Sequence, residues 1–507
     1  NLRQAGHDVE VVDAVGESIF QILSDESGKN FYHGLSIDET VKKVNPETEY
    51  IGVSCQFSIE WPYTRRLLKK IRERFQNVPI IIGGEHVTAT ADYILKEIPE
   101  AVDYCVIGDG EIIIQNLVRS IKEKKTTDND LNKILGITYI NSKNEFKFTG
   151  YDHPLPASMI ERPDYSILEE DNSIKHYIRE GSEGYWADES HKWEKGKRKA
   201  TVVVAKGCVA RCTFCHRFEK GYRVSPLDSI INHMKKLKNK YNVKYLSIGD
   251  ENFGSYKEET IKLVKAMGSE GFIWRAGGVR AHTANPEMLK LWKENGCTNV
   301  TYGIESGSPT MLQVMEKKIS SEQNIKALKF TYDAGLSTAI QLIIGMPGET
   351  DKTVEETTDF LIQTMPYYSD VFRKKVPLVV SINYAQALPG TPLYEYAREH
   401  NFIGKDIDSE ESYLLKISDT DAYDNDHFIN YTQQPLLKVL SWRTKIYWRL
   451  FQEHEKTNLK FSLSKLKILI SLLIISLNQI LKTRLSSPLQ RALDKFETDQ
   501  DKDAYYN

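Results

Sequence analysis

Twice along this chain, short apolar runs alternate with longer amphipathic stretches. That rhythm predicts parallel sheets, because a parallel neighbour can be reached only through a crossover connection. The first series has apolar runs at 9–12 (VEVV), 50–54 (YIGVS), 79–83 (PIIIG) and 104–108 (YCVIG). Between them lie helical patterns such as 61–75, where Leu67, Leu68 and Ile71 recur at helical spacing. Three runs end in small or glycine-rich turns: Val53-Ser54, then Gly83-Gly84-Glu85-His86, then Gly108-Asp109-Gly110-Glu111. In a doubly wound sheet, ligands bind beyond the carboxyl ends of the strands. Glycine there lets a ligand approach the backbone.

The second series begins at Thr201. Strands are predicted at 201–205, 243–248, 272–276, 299–303, 338–344 and 378–385, with helices at 227–241, 257–267, 286–294, 322–334 and 353–364. Six strand–helix units predict a partial (β/α)6 barrel with its site at the strand carboxyl ends. Between the series, 126–199 reads as a linker that wraps between domains, with a hairpin turning about 141–144. Beyond about residue 400 the pattern is helical, chiefly at 437–451 and 463–481, and 497–507 reads as a disordered tail. The expected units are therefore 1–125, 126–199, 200–398 and 399–507.

With 67 basic and 70 acidic residues, the chain carries no global positive field, and no nucleic-acid partner is expected. The most apolar segment, 468–481, is shorter than the roughly 20 residues a span requires. It reads as a buried helix, with peripheral contact to a membrane surface as the alternative. The opening residues, 1–7, read as the end of a helix, so a truncated start is expected. Three scattered cysteines and one tight trio do not form a secreted disulfide pattern, and a cytoplasmic protein is expected.

The trio is Cys208, Cys212 and Cys215, directly after the first strand of the second series. Three thiolates at this spacing can grip one iron–sulfur cube from a single loop. With no fourth cysteine nearby, one iron keeps an open position. A zinc site would need His216 as its fourth ligand, and that residue, adjacent to Cys215, is poorly placed to close a tetrahedron.

The CxxxCxxC loop resembles the hallmark of the radical S-adenosylmethionine (SAM) superfamily, over roughly 200–395. The resemblance implies a 4Fe–4S cluster whose open iron chelates SAM and cleaves it to a 5′-deoxyadenosyl radical. It implies SAM contacts at Phe214, at Glu251 after the second strand and at Arg280 after the third. Further contacts are implied at Glu305 and Ser306 after the fourth strand and at Gly345 after the fifth. The upstream domain resembles the Rossmann-like cobalamin-binding domain of cobalamin-dependent radical SAM enzymes. That likeness implies corrin contacts at Ser54, Gly83, Gly84, Glu85, His86, Thr88, Gly108, Gly110 and Glu111. None of the 12 histidines has Asp two positions before it, so the Asp-x-His-x-x-Gly motif that supplies a lower cobalt ligand is absent. Tyr and Trp residues near Ser54–Trp61 are candidates to lie over that face, and His86 is expected on a loop contacting the corrin periphery or phosphate.

Together these resemblances imply C-methylation of an unactivated carbon in a small-molecule substrate, with flavodoxin or ferredoxin as electron donor. A cobalamin-dependent oxidative cyclase or rearrangement enzyme is the alternative, and a non-catalytic Fe–S sensor or scaffold is another. A methylthiotransferase would need further cluster cysteines near its start, where only Cys55 and Cys105 stand.

Overall fold

A computed structural model describes residues 1–24, 31–160, 162–169, 173–180, 194–216, 221–372, 380–404, 406–417 and 428–457. The segment 463–481 and the tail lie outside the described residues.

The helical and strand patterns largely become the elements they predict. Ile230, Met234, Leu237 and Tyr241 recur along one stripe of the helix Leu227–Tyr241 and are all buried. Each such side chain contributes about 1.5–3 kcal/mol on burial. The helix stops at Asn242, which adopts the left-handed conformation (φ +57°) that asparagine tolerates.

A small hairpin, β1 (Ile22–Ser24) and β2 (Phe31–His33), precedes the first large sheet. That sheet orders β3 (Ile51–Ser54), β4 (Ile80–Gly83), β5 (Tyr104–Val106), β6 (Ile137–Ile140) and β7 (Phe146–Phe148) side by side. β3, β4 and β5 are parallel, whereas β6 and β7 return antiparallel. The hairpin expected about 141–144 is thus present, but it extends the first sheet instead of lying in a linker. The run 9–12 forms no strand, and Val11 is 47% exposed. No described strand lies beside it to take its backbone hydrogen bonds.

The second sheet is an open half-barrel of six parallel strands in chain order. They are β8 (Arg198–Val202), β11 (Val243–Ile248), β12 (Ile273–Val279), β13 (Cys297–Glu305), β14 (Ile340–Ile344) and β15 (Val380–Tyr384). Between β8 and β11, the short β9 (Ala205–Lys206) and β10 (Arg223–Val224) pair antiparallel. The helix Leu436–Thr457 packs on the helix Asp351–Phe372 and places Val439, Trp442 and Ile446 in the barrel core. Trp442 is fully buried in this core and donates from Nε1 to Asp351 Oδ1 at 2.6 Å.

The two sheets share a core. Ile82, Val87 and Ile94 of the first domain belong to one buried cluster with Met311, Met346, Leu393 and Leu414. Arg66 Nη1 reaches Glu411 Oε1 at 3.1 Å, tying the first domain to the helix Ile407–Ile417. This packing sets the carboxyl edge of the first sheet against the mouth of the half-barrel.

Candidate cofactor site

The three cysteines lie on a lobe with a clasped neck. Its ends meet where β9 pairs with β10, Lys206 opposite Arg223. Asp250, at the end of β11, accepts the Val204 N–H at 2.7 Å. Burial pushes the Asp250 carboxyl up to about 7, against the opposing pull of the Val204 and Ala205 N–H groups. At the tip, Thr213 donates from N to Met315 O (3.2 Å) and from Oγ1 to Val314 O (3.1 Å), while Leu393 N donates to Thr213 O (2.9 Å). The lobe is therefore anchored at neck and tip.

Cys215 is exposed, yet desolvation by the protein around it raises its thiol above the ordinary range, and the charges of Cys212, Glu251 and Cys208 add to the rise. Burial likewise raises Cys212, which also senses Lys317, Glu305, Cys208 and Arg280. The three thiols thus occupy one electrostatic neighbourhood. The donor set is three thiols on one loop, and it fits an iron–sulfur cube, which spreads its cysteine ligands over separate irons.

Around the lobe, Glu251 follows β11, and its carboxyl is raised by burial. Arg280 follows β12, whose end passes very close to β11. A Cβ on Gly278 (φ +63°) would stand 2.0 Å from Asp250 O, so only glycine fits. Glu305 ends β13 with its carboxylate 3.4 Å from Lys317 Nζ, and Phe214 lies beneath that ammonium. Ser306 follows Glu305. It is buried, and its Oγ is taken up by Thr357 Oγ1 (3.0 Å) and by the Ser308 N–H (3.1 Å). Gly345 ends β14, and its N–H donates to the buried Glu349, which also accepts from Met346 N at 3.3 Å. Burial lifts Glu349 to about 8.

Facing the lobe is the carboxyl edge of β3, β4 and β5. Ser54 is exposed at the end of β3. Gly83 closes β4 and accepts the Cys55 N–H at 2.8 Å. Gly84 (φ +116°) must be glycine, since a Cβ would meet Cys55 O at 2.4 Å. Glu85 Oε1 lies 3.9 Å from Nδ1 of His216, the residue after Cys215. Thr88 Oγ1 accepts the Gly108 N–H at 3.0 Å.

Two expectations change here. His86 is not on a loop at a ligand's edge. It sits in the first turn of the helix Glu85–Glu97, 1% exposed, its ring centroid 5.0 Å from that of Trp61 and its Nδ1 3.0 Å from Ser58 Oγ. Burial drives its pKa down to about 3, so the ring is neutral. Trp61 is itself buried and lies in the core. The turn 108–111 also has a second task. Asp109 pairs with Arg223 Nη1 (2.8 Å) and Lys206 Nζ (3.3 Å), and Glu111 with Lys206 Nζ (2.9 Å). The neck of the cysteine lobe is thus bound by charge to the first domain. Sequence reading gave no role to Lys206, Arg223 or Lys317, and it placed Asp109, Asp250 and Glu349 only within the turns that follow their strands. Lys206, two positions before Cys208, was the nearest available signal.

Comparison with known proteins follows the same division. Residues 202–361 match the Radical SAM superfamily, and residues 1–118 match the B12 binding domain. The chain is a cobalamin-dependent radical SAM enzyme. Its cofactors are a 4Fe–4S cluster, SAM and cobalamin, as the two matched domains require. Among relatives of this cobalamin-dependent radical SAM enzyme, an uncharacterized methyltransferase of Pyrococcus horikoshii is 29% identical over 411 residues, covering 78% of this chain and 76% of that one. The anaerobic magnesium-protoporphyrin IX monomethyl ester cyclase of Rubrivivax gelatinosus is 26% identical over 300 residues, covering 58% and 50%. The fold is similar to OxsB with aqua-cobalamin and SAM bound (TM-score 0.60, 17% identity, 92% of this chain and 74% of that). It is also similar to TsrM of Kitasatospora setae with cobalamin and a [4Fe–4S] cluster bound (TM-score 0.51, 16% identity, 71% and 67%).

Proposed function

We propose that this enzyme methylates an unactivated carbon of a small-molecule substrate. When bound, the cluster and SAM supply a 5′-deoxyadenosyl radical and cobalamin carries the methyl group. The observation that supports this reading is the docking of the β3–β5 carboxyl edge on the cysteine lobe, through Asp109, Glu111 and Glu85. A reaction shared by two cofactors requires both reactive atoms at one carbon with water excluded. The neck pairs hold the two sheet edges in one orientation, and the shared apolar core keeps that orientation dry.

In this proposal Cys208, Cys212 and Cys215 hold the cluster. Phe214, Glu251, Arg280, Glu305 and the Gly345 turn bind SAM, while Ser306 supports the Glu305 turn from behind. Ser54, Gly83, Gly84 and Glu85 form the corrin cradle with Gly108 and Gly110. Thr88 fixes the 108–111 turn, His86 supports the cradle from below and Glu111 orients it against the lobe. A low-potential flavodoxin or ferredoxin supplies electrons.

The test is anaerobic incubation with reductant, a small-molecule extract and SAM carrying a deuterated methyl group. Formation of 5′-deoxyadenosine together with a product heavier by the labelled methyl is expected. Release of 5′-deoxyadenosine with an unlabelled, altered product would replace methylation by cyclisation or rearrangement, the reading that the similarity to the cyclase favours. A spectrum with cluster bands but no corrin bands would remove the cobalamin step.

A further inference from the structure

Three non-glycine residues with left-handed backbone gather beside the cysteine lobe: Glu305 (φ +63°), Glu316 (φ +50°) and Lys318 (φ +50°). A Cβ makes that conformation costly, and it persists only where surrounding structure imposes it. Lys317 stands between the last two. Its Nζ lies 3.4 Å from Glu305 Oε1 and 5.8 Å from the ring centroid of Phe214, which is sited between Cys212 and Cys215. The two charged side chains are only 15% and 14% exposed. Gly303 makes room for the pair, because a Cβ there would meet Glu305 Oε1 at 2.7 Å and Lys317 Nζ at 3.1 Å. The backbone just before Lys317 is bonded to the lobe through Thr213, which donates to Val314 O and Met315 O. The ammonium is thus fixed relative to the thiols.

A cluster held by three thiolates becomes more negative by one charge on reduction. A fixed cation close by, screened from water, favours the reduced form, and its counter-charge opposes that effect. We infer that Lys317, gripped by Glu305 and by the strained backbone at 316 and 318, is the positioning residue that sets the reduction potential of the cluster on Cys208, Cys212 and Cys215. The inference rests on the radical SAM assignment and adds a role for an ion pair that this assignment does not require.

The experiment is a dye-mediated potentiometric titration of the anaerobically reconstituted full chain without SAM, read by electron paramagnetic resonance of the reduced cluster. Lys317→Met is expected to move the midpoint to more negative potential. At the wild-type midpoint its reduced-to-oxidised ratio falls about tenfold, equivalent to about 59 mV for a one-electron couple. Lys317→Arg keeps the wild-type midpoint, and Glu305→Gln moves it to more positive potential. A Lys317→Met protein with full iron content and an unmoved midpoint overturns the inference, as does a Lys317→Arg midpoint displaced like that of Met. If Lys317→Met holds no iron, the sign for Glu305→Gln decides, and no shift or a negative shift overturns the inference. A wild-type chain that yields no 4Fe–4S signal would overturn the radical SAM assignment itself, which is a separate failure.

Discussion

The carboxyl edges of the two sheets use their polar residues in opposite ways. At the half-barrel edge, the motif cysteines line an accessible lobe, the buried Asp250 holds the chain that enters its neck, and the buried Glu349 holds the turn after β14. At the first sheet's edge, the charged and aromatic motif residues are largely drawn into docking and packing. Asp109 and Glu111 bind Lys206 and Arg223, and His86 lies buried on Trp61. What remains there for a ligand is glycine backbone, Ser54 and Glu85. A cradle made of backbone suits a large flat cofactor, and it leaves little trace in residue identity.

The sharpest way to break this contrast is to remove a thiol. Alanine at Cys208, Cys212 or Cys215 is expected to cut 5′-deoxyadenosine formation by at least about a hundredfold, because the cluster loses a ligand. Alanine at Cys55, buried in the first domain, leaves iron content unchanged. Iron analysis and chromatography of the nucleoside check both.

Next comes the docking charge. Asp109 and Arg223 are 8% and 13% exposed, so Asp109→Ala removes a carboxylate shared by Arg223 and Lys206 from a largely buried ion cluster, in which Lys206 keeps Glu111. A loss of about 3 kcal/mol is expected in urea unfolding. A variant as stable as the wild type would show that the apolar core alone holds the domains.

The two regions also differ in the sign of their pH dependence. Asp250 has a folded value of about 7, above the ordinary carboxyl value near 4. Its contribution to stability is whole below about pH 4 and is lost as pH rises toward 7. Asp250→Asn should therefore gain on the wild type between about pH 4 and pH 7. His86 has a folded value of about 3, below the ordinary 6.5. Its contribution is whole above 6.5 and is lost as pH falls toward 3, so His86→Gln should flatten the acid side. Each effect is of the order of a few kcal/mol at its extreme, read from unfolding midpoints across pH. Parallel slopes in the two variants would sink the contrast.

The smallest effect is the control. Lys96 and Asp92 form an exposed pair on the helix Glu85–Glu97. Lys96→Ala is expected to change stability by less than about 0.5 kcal/mol in the same unfolding assay.

The sequence by itself determined the two strand–helix series and the chemistry of the thiol lobe. Helical and strand periods are local, and the three donors sit within eight residues, so their spacing alone brings them together. The carboxyl-end turns were equally legible, since a glycine turn after an apolar run is a local signal. Only the tertiary structure decided which residues at those turns face a ligand and which serve something else. Arg223 and Asp109 are 114 residues apart, and Lys206 and Asp109 are 97 apart. No local pattern distinguishes a carboxylate destined for such a partner from one destined for a cofactor. The hairpin at 137–148 shows the same limit, because its turn is written locally and the sheet it joins is not. His86 reads as a ligand beside two glycines and becomes a neutral core residue once Trp61 covers it. Lys317 has no motif at all, and its place beside the lobe comes from contacts between segments far apart in sequence, Thr213 with Val314 and Met315.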